Sequence, residues 1–415
     1  MSGGIYLLAG AQTDFARKWV SEGLGIADML REVSEEVLAG AQVPASAIES
    51  VHVGNFVSER FCGQGHLGGL VAEVCPGLAG VASTRHEAAC ASGGVAMMAA
   101  MAALESGRAG TALVVGAELM RNMPTREAAK LLDAAAWVPH ETEDVAFIWP
   151  HVFAEVGALY RQRYGLRREH LVALARSNFR NARHNPLAQT RGWQLDDSNF
   201  SQDPAHNPEV VPGLRRHDCS QVTDGAAAVV LARGDVAKAW ADSRGLSLAS
   251  VPQILGWGHR TDRLSFASKQ ARAREGTGHL FEHVRGAVTD AMGRAGVSDV
   301  RAQIAAVETH DCFSTTHYMA IDHLGLTPVG ENYRAIEDGT VFMGGDVPIN
   351  PSGGLIGGGH PVGATGVRMA VDAWRQVTGV AGGYQVPRAH GGRVATLNLG
   401  GSATTSVCMV IGCDT

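Results

Sequence analysis

The sequence predicts an α/β protein in which one unit is used twice. Two observations carry this. Short apolar runs alternate with segments whose apolar residues recur at helical spacing, the pattern of a mostly parallel sheet with helices on both faces. The same order then recurs at a period near half of the 415-residue chain, which is far longer than a solenoid repeat.

The first unit opens with Ile5 to Gly10, an apolar run suited to a buried strand. Ile26, Leu30, Val33 and Val37 then make a helix stripe, with Gly40 as a stop. Ser50 to Val57 reads as the next strand. The stretch His86-Glu87-Ala88-Ala89-Cys90-Ala91-Ser92-Gly93-Gly94 leads into Val95 to Leu104, which has no charge and no ring. That helix is expected to be buried on all sides. Thr111 to Gly116 is a further strand. In the second unit, Gln253 to Gly258 leads into His259-Arg260-Thr261-Asp262 as Leu8-Ala9-Gly10 leads into Ala11-Gln12-Thr13-Asp14. Leu280, Val284, Val288 and Met292 form the matching stripe, ending at Gly296. Ala305 to Ser314 stands where Ser50 to Ser58 stood, and Ala364 to Trp374 where the Cys90 helix stood. Val394 to Leu399 mirrors Thr111 to Gly116, and Thr405 to Asp414 matches Ala226 to Asp235. The expected division is a first half over 1–118 and 217–250, an insertion over 119–216, and a second half over 251–415. Trp149 to Tyr164 and Arg167 to His184 read as helices of the insertion, and Gln194 to Asn207 as polar surface.

Composition narrows the chemistry. A net charge of −6 gives no reason to expect nucleic acid. No apolar run approaches the roughly 18 residues of a membrane span. Met1-Ser2-Gly3-Gly4 does not open a signal peptide, and Gly412-Cys413-Asp414-Thr415 is no retention signal. Seven cysteines without a C-x-x-C pair point to reduced thiols rather than a disulfide frame or a zinc site. A cytoplasmic protein without a bound metal is expected.

Cys90 lies at the mouth of a small-residue helix. Unpaired N–H groups and the dipole there favour a thiolate, and the same groups can hold an oxyanion. A lone cysteine in such a place is more often plain core. Three further stretches reverse that balance: Val307-Glu308-Thr309-His310-Asp311-Cys312-Phe313-Ser314, Gly357 to Gly366 containing Gly359-His360-Pro361, and Leu397-Asn398-Leu399-Gly400-Gly401-Ser402-Ala403. Arg176, Arg180 and Arg183 share one helix face, either solvated or a seat for nucleotide phosphates. His86 stands either at the pocket or on the surface, and Met120, Met123 and Met343 either pack or line an acyl pocket. Cys219, Cys408 and Cys413 read as core.

Taken together, these stretches resemble the thiolase family from Ile5 to Ile411. The segment Asp218-Cys219-Ser220-Gln221-Val222-Thr223-Asp224-Gly225 is similar to one that family carries before the last strand of its first half. The resemblance implies two βαβαβαββ halves in five layers, αβαβα, with an inserted loop domain. Asn398 stands where common thiolases carry the cysteine of C-x-G, and His310-Asp311-Cys312-Phe313 replaces N-E-A-F. That combination is similar to the sterol-carrier-protein type. The implied activity is acyl-CoA C-acyl transfer, making or cleaving 3-ketoacyl-CoA by Claisen chemistry. By the same resemblance Cys90 carries the acyl group and His360 takes its proton. Cys312 is acid and base at the α-carbon. His310 serves a first oxyanion hole, and the Cys90 and Gly400 N–H groups form a second. Asn398 belongs to the wall. Coenzyme A thioesters are the implied substrates, with no permanently bound cofactor. A homodimer or homotetramer, in some relatives with a small partner protein, is the implied assembly. The alternatives are a retro-aldolase, whose known relatives lack the nucleophile, and a partner-dependent acyl-CoA-binding subunit.

Overall fold

The computed structural model describes residues 3–413 apart from 143, 144 and 146. Eleven strands follow in chain order: β1 (Ile5–Gln12), β2 (Ser50–Gly54), β3 (Ala82–His86), β4 (Thr111–Glu118), β5 (Glu209–Val211), β6 (Leu214–Arg215), β7 (Gly225–Arg233), β8 (Gln253–Thr261), β9 (Ala306–Thr309), β10 (Arg393–Gly400) and β11 (Thr405–Gly412). Strands β5 and β6 form a separate hairpin, and the other nine run β3-β2-β4-β7-β1-β8-β11-β10-β9. In the first five, β2, β3 and β4 are parallel, and β7 and β1 follow antiparallel. In the last four, β9 and β10 are parallel, and β11 and β8 follow antiparallel. The two runs are therefore one pattern used twice. They meet through a single registered pair, Tyr6 with Gln253. The counterpart of β3 shrinks to one bridge, Ile349 beside Val307. Pro348 and Pro351 flank it, and proline has no N–H with which to extend a ladder.

Helices Ser92–Glu105 and Thr365–Thr378 lie between the two runs of strands and pack on each other. Their crossing explains their small residues. A Cβ at Gly93 would sit 2.8 Å from Gly363 O and 2.9 Å from Val367 N, so the two backbones touch. The Ile26–Ala41 helix covers the outside of the first run with Met29, Leu30, Val33 and Val37. The Glu282–Arg294 helix covers the second with Val284, Val288, Ala291 and Met292. This gives helix, sheet, central helix pair, sheet and helix in succession. The insertion adds helices Ile148–Tyr164 and Arg168–Ala182, which pack on a further helix, Ser314–Leu324. Tyr160 donates to Asp322 at 2.9 Å there, and the Phe153 and Phe313 rings stack at 5.1 Å.

Three expectations are corrected. The Ser92–Glu105 helix is not buried all round, because Ala102 is exposed and Val95, Met98 and Ala99 are half-buried at the surface of the chain. Strand β2 stops at Gly54 rather than Val57, because Asn55, Phe56 and Val57 turn to bind the Glu118 carboxylate. Strand β9 ends at Thr309, so His310–Cys312 lie beyond it, and Phe313, itself extended and bridged to Cys219, leads into the Ser314 helix. No helix among the described residues is long and apolar enough to cross a membrane.

Candidate active site

The nucleophile candidate sits on a tight turn. Ala89 adopts φ 52°, a conformation that costs a non-glycine residue about 1–3 kcal/mol. Ser92 holds that turn, accepting from Ala88 N at 2.9 Å and donating to Ala89 O at 2.6 Å. The half-buried Cys90 is thereby lifted clear of the helix that starts at Ser92. Gly400, at the end of β10, comes so close that any Cβ there would collide with Ala88 O.

His360 arrives from the other half. Its N–H donates to Thr223 Oγ1 at 2.8 Å, and its Nδ1 lies 2.8 Å from Thr365 Oγ1. Thr365 gives its own hydrogen to Pro361 O at 3.0 Å, so its oxygen accepts from Nδ1–H. The hydrogen-bond pattern thus assigns the proton to Nδ1 and leaves Nε2 as an acceptor. His310 follows β9, with its N–H on Leu397 O at 2.8 Å. Asn398 donates to Cys90 O at 3.0 Å and lies 3.4 Å from His310 Nδ1, so its amide touches both residues. The His310 and His360 rings meet edge to face at 5.0 Å. The Cys90 sulfur and one nitrogen of each histidine all lie within 4.8 Å of one another, a soft donor set that could also grip a metal ion.

Burial governs the proton affinities. It is the main cause that pushes the Cys90 thiol up to about 12, with the Glu118 charge adding to it. The backbone N–H groups of Gly401 and of Cys90 itself act the other way. Burial thus opposes the thiolate that the helix start was expected to favour, and the helix itself begins at Ser92, beyond the sulfur. Burial likewise holds His310 down to about 3, and holds His360 well below its usual range with help from the His310 and Arg368 charges. Cys312 is buried with its sulfur 3.7 Å from Thr316 Oγ1. Its thiol is pushed well up, first by burial and next by Cys90, so the two sulfurs feel each other.

Sequence reasoning missed several supports. Glu118, buried at the end of β4, accepts from Asn55 Nδ2 at 2.9 Å, Phe56 N at 2.8 Å and Gly363 N at 3.1 Å. It ties the turn after β2 to the loop after His360. Burial raises its carboxyl to about 7, while those N–H donors oppose the rise. Asp311 accepts from Leu355 N and from Asn178 Nδ2, both at 2.6 Å, so it joins the motif to the glycine-rich loop and to the insertion. Gly401, next to the expected Gly400, has an N–H that favours the thiolate of Cys90. A lone acid after an apolar strand and an acid inside a motif were visible in the sequence; their partners were not.

Met120 and Met123 belong to the apolar cluster around Cys90, with Phe56, Phe61 and Val362, whereas Met343 packs on the separate cluster that the central helices share with the strands. Arg176, Arg180 and Arg183 are exposed on the Arg168–Ala182 helix and its end. Arg176 pairs with Asp197, and Arg183 donates to Leu195 O at 3.2 Å. His86 pairs with His52 at 3.0 Å across β2 and β3.

Known proteins share this architecture. The thiolase N-terminal domain model matches residues 5–194, and the thiolase C-terminal domain-like model matches 267–413. An acetyl-CoA acetyltransferase of Methanothermobacter thermautotrophicus is 33% identical over 408 residues, 97% of each chain. Human sterol carrier protein 2 is 28% identical over 97% of this chain and 71% of its own length. Among solved structures, the Ltp2-ChsH2(DUF35) aldolase superposes with a TM-score of 0.76 at 20% identity, over 100% of this chain and 98% of that one. The Acat5 thiolase of Ascaris suum, solved with coenzyme A, gives 0.68 at 18%, over 99% and 100%. The chain belongs to the thiolase family.

Proposed function

We propose that the protein is an acyl-CoA C-acyltransferase that makes or cleaves 3-ketoacyl-CoA through an acyl group on Cys90. The observation that carries this is the meeting of the Cys90 sulfur with His310 and His360 nitrogens inside 4.8 Å, drawn from both halves of the chain. Cys90 attacks the thioester carbonyl as its proton passes to His360 Nε2. A thiol near 12 beside a neutral imidazole makes a resting ion pair unfavourable, so transfer and attack are coupled. The N–H groups of Cys90, Gly400 and Gly401 are the donors for charge on the acyl oxygen, and His310 for charge on the enolate oxygen. Cys312 moves the α-proton.

The acetyltransferase identity of the archaeal relative supports acetyl-CoA as a donor, and the coenzyme A in the Ascaris suum structure supports its class. The face of Arg176, Arg180 and Arg183 is our assignment for the nucleotide phosphates. Replacing all three by Gln should raise KM for acyl-CoA and leave kcat nearly unchanged; unchanged KM rejects that seat. A homodimer or homotetramer in the cytoplasm completes the reading. Retro-aldol cleavage is the competing activity, and the presence of Cys90 weighs against it.

Intact-protein mass after incubation with acetyl-CoA and longer acyl-CoAs tests the reading. An adduct is expected on wild type and Cys312→Ala and not on Cys90→Ala. No adduct with any donor would sink acyl transfer and shift the weight to aldol cleavage.

A further inference from the structure

The Phe266–Glu275 helix carries a lysine that the reaction above does not use. Lys269 is 1% exposed, which is unusual for its type. Its ammonium donates to Ser402 O at 2.9 Å, to Ser402 Oγ at 2.6 Å and to Thr404 Oγ1 at 2.7 Å. Three hydrogens meet three neutral acceptors, so the group is fully satisfied without a salt bridge among the described residues. All three acceptors belong to the turn between β10 and β11. That turn holds Gly401 at φ 59° and Ala403 at φ 58°, and it is closed by Thr404 N on Gly400 O at 2.9 Å. From the far side, Asp262 N donates to Thr404 O at 2.7 Å. Gly401 is a residue whose N–H favours the Cys90 thiolate, and Gly400 beside it comes within collision distance of Ala88 O in the Cys90 turn. A buried cation costs several kcal/mol to desolvate, and an apolar side chain would fill the space without that cost. What the ammonium adds is a fixed turn.

We propose that Lys269 is a positioning residue that locks the Gly401–Thr404 turn, aiming the Gly401 N–H at the Cys90 sulfur and at the oxyanion formed beside it. The inference rests on the acyl-transfer reading for the oxyanion, but its effect on the sulfur stands apart from it. The charged groups facing Lys269 are Asp262 after β8, Glu141 of the insertion and Arg272 on its own helix. The two acids favour the ammonium and Arg272 opposes it, yet burial is the largest influence and brings the pKa down to about 8. A neutral amine donates two hydrogens instead of three, so one of the two hydroxyls must turn to donate to it, and the bonds that remain lose their charge assistance. The turn therefore loosens as pH rises through about 8.

The test compares wild type, Lys269→Met and the double variant Ser402→Ala with Thr404→Val. Two rates are read across pH: Cys90 acylation by acetyl-CoA, and Cys90 alkylation by iodoacetamide. Loss of an oxyanion donor costs about 10²–10³-fold, and a misaimed one less, so acylation by Lys269→Met should slow by about tenfold or more, with KM little changed. The ratio of wild-type to variant rate should fall towards one as pH passes about 8. The double variant should slow both reactions in the same direction. A folded Lys269→Met protein with wild-type rates overturns the proposal, as does a slowing whose ratio ignores pH, which would mark a merely structural role. If Lys269→Met does not fold, the double variant decides, and wild-type rates in it overturn the proposal. A wild type that is alkylated but never acylated would sink acyl transfer alone, leaving the Lys269 effect on alkylation to be judged separately.

Discussion

Thr365 decides which nitrogen of His360 can work. Its hydrogen goes to Pro361 O, so its oxygen accepts the Nδ1 proton and leaves Nε2 as the basic nitrogen, the one we assign to Cys90. Thr365→Val keeps the shape and removes the acceptor, so the proton can move to the wrong nitrogen. Pre-steady-state acylation should then slow by some part of the about 10²–10⁴-fold that base catalysis supplies, and Thr365→Ser should restore it. Equal rates for Val and Ser would reject the assignment. The thiol makes a second prediction. Burial pushes Cys90 up to about 12 and His360 well below its usual range, and both shifts oppose a thiolate–imidazolium pair. The iodoacetamide rate on Cys90 should climb with pH through the whole neutral range, whereas a plateau there would reveal a resting ion pair. Both histidines were legible in the sequence as members of motifs. Their protonation was not, because it follows from burial that only the assembled halves create.

Elements show the same division between what a pattern encodes and what packing adds. Strands such as β1, β4 and β11 were legible because they are buried apolar runs, whereas β3, polar and partly exposed, was not. The Ser314–Leu324 helix was not, because every one of its residues is buried, leaving no stripe of helical period to read. The shortened β2 was hidden for another reason: the turn at Asn55–Val57 answers to Glu118, which lies 63 residues beyond Asn55 in the chain. That carboxylate faces donors alone. Glu118→Gln would turn an amide N–H₂ towards N–H groups and leave at least one buried donor unpaired. Such a group costs about 1–3 kcal/mol, so denaturant unfolding should show a loss of that order. Cys90 alkylation should change as well, since the same carboxylate lies close enough to raise its thiol. A variant as stable as wild type would mean that the carboxyl is already protonated in the fold.

At the scale of the molecule, the two halves share a buried charge network that no local pattern announces. Arg368, on the central Thr365–Thr378 helix, donates to Glu308 Oε2 on β9 at 2.9 Å, to Asp372 Oδ2 at 2.8 Å and to Ser352 Oγ at 2.9 Å. Asp372 accepts from Tyr384 at 2.8 Å, and Arg375 reaches from Asp372 to Gln12 of β1. The chain of contacts thus runs from one run of strands to the other through the helix between them. Arg368→Met removes the cation and leaves two buried carboxylates facing each other's charge. Breaking one partner of a buried pair costs about 3–5 kcal/mol. The sign with pH follows from those acids. Burial already raises Glu308 to about 7 against the Arg368 charge, and removing that charge raises it further, so the variant keeps more of its stability in acid, where Glu308 is protonated, and loses it as pH rises. The deficit measured by unfolding should therefore be smaller in acidic than in alkaline buffer, and a deficit independent of pH would locate the damage in packing. The same charge also helps hold His310 and His360 in their neutral forms. Its removal lets both imidazoles protonate at higher pH, so the acid limb of acyl transfer should move upward in Arg368→Met. An unmoved limb in a folded variant would mean that burial alone keeps the two histidines neutral.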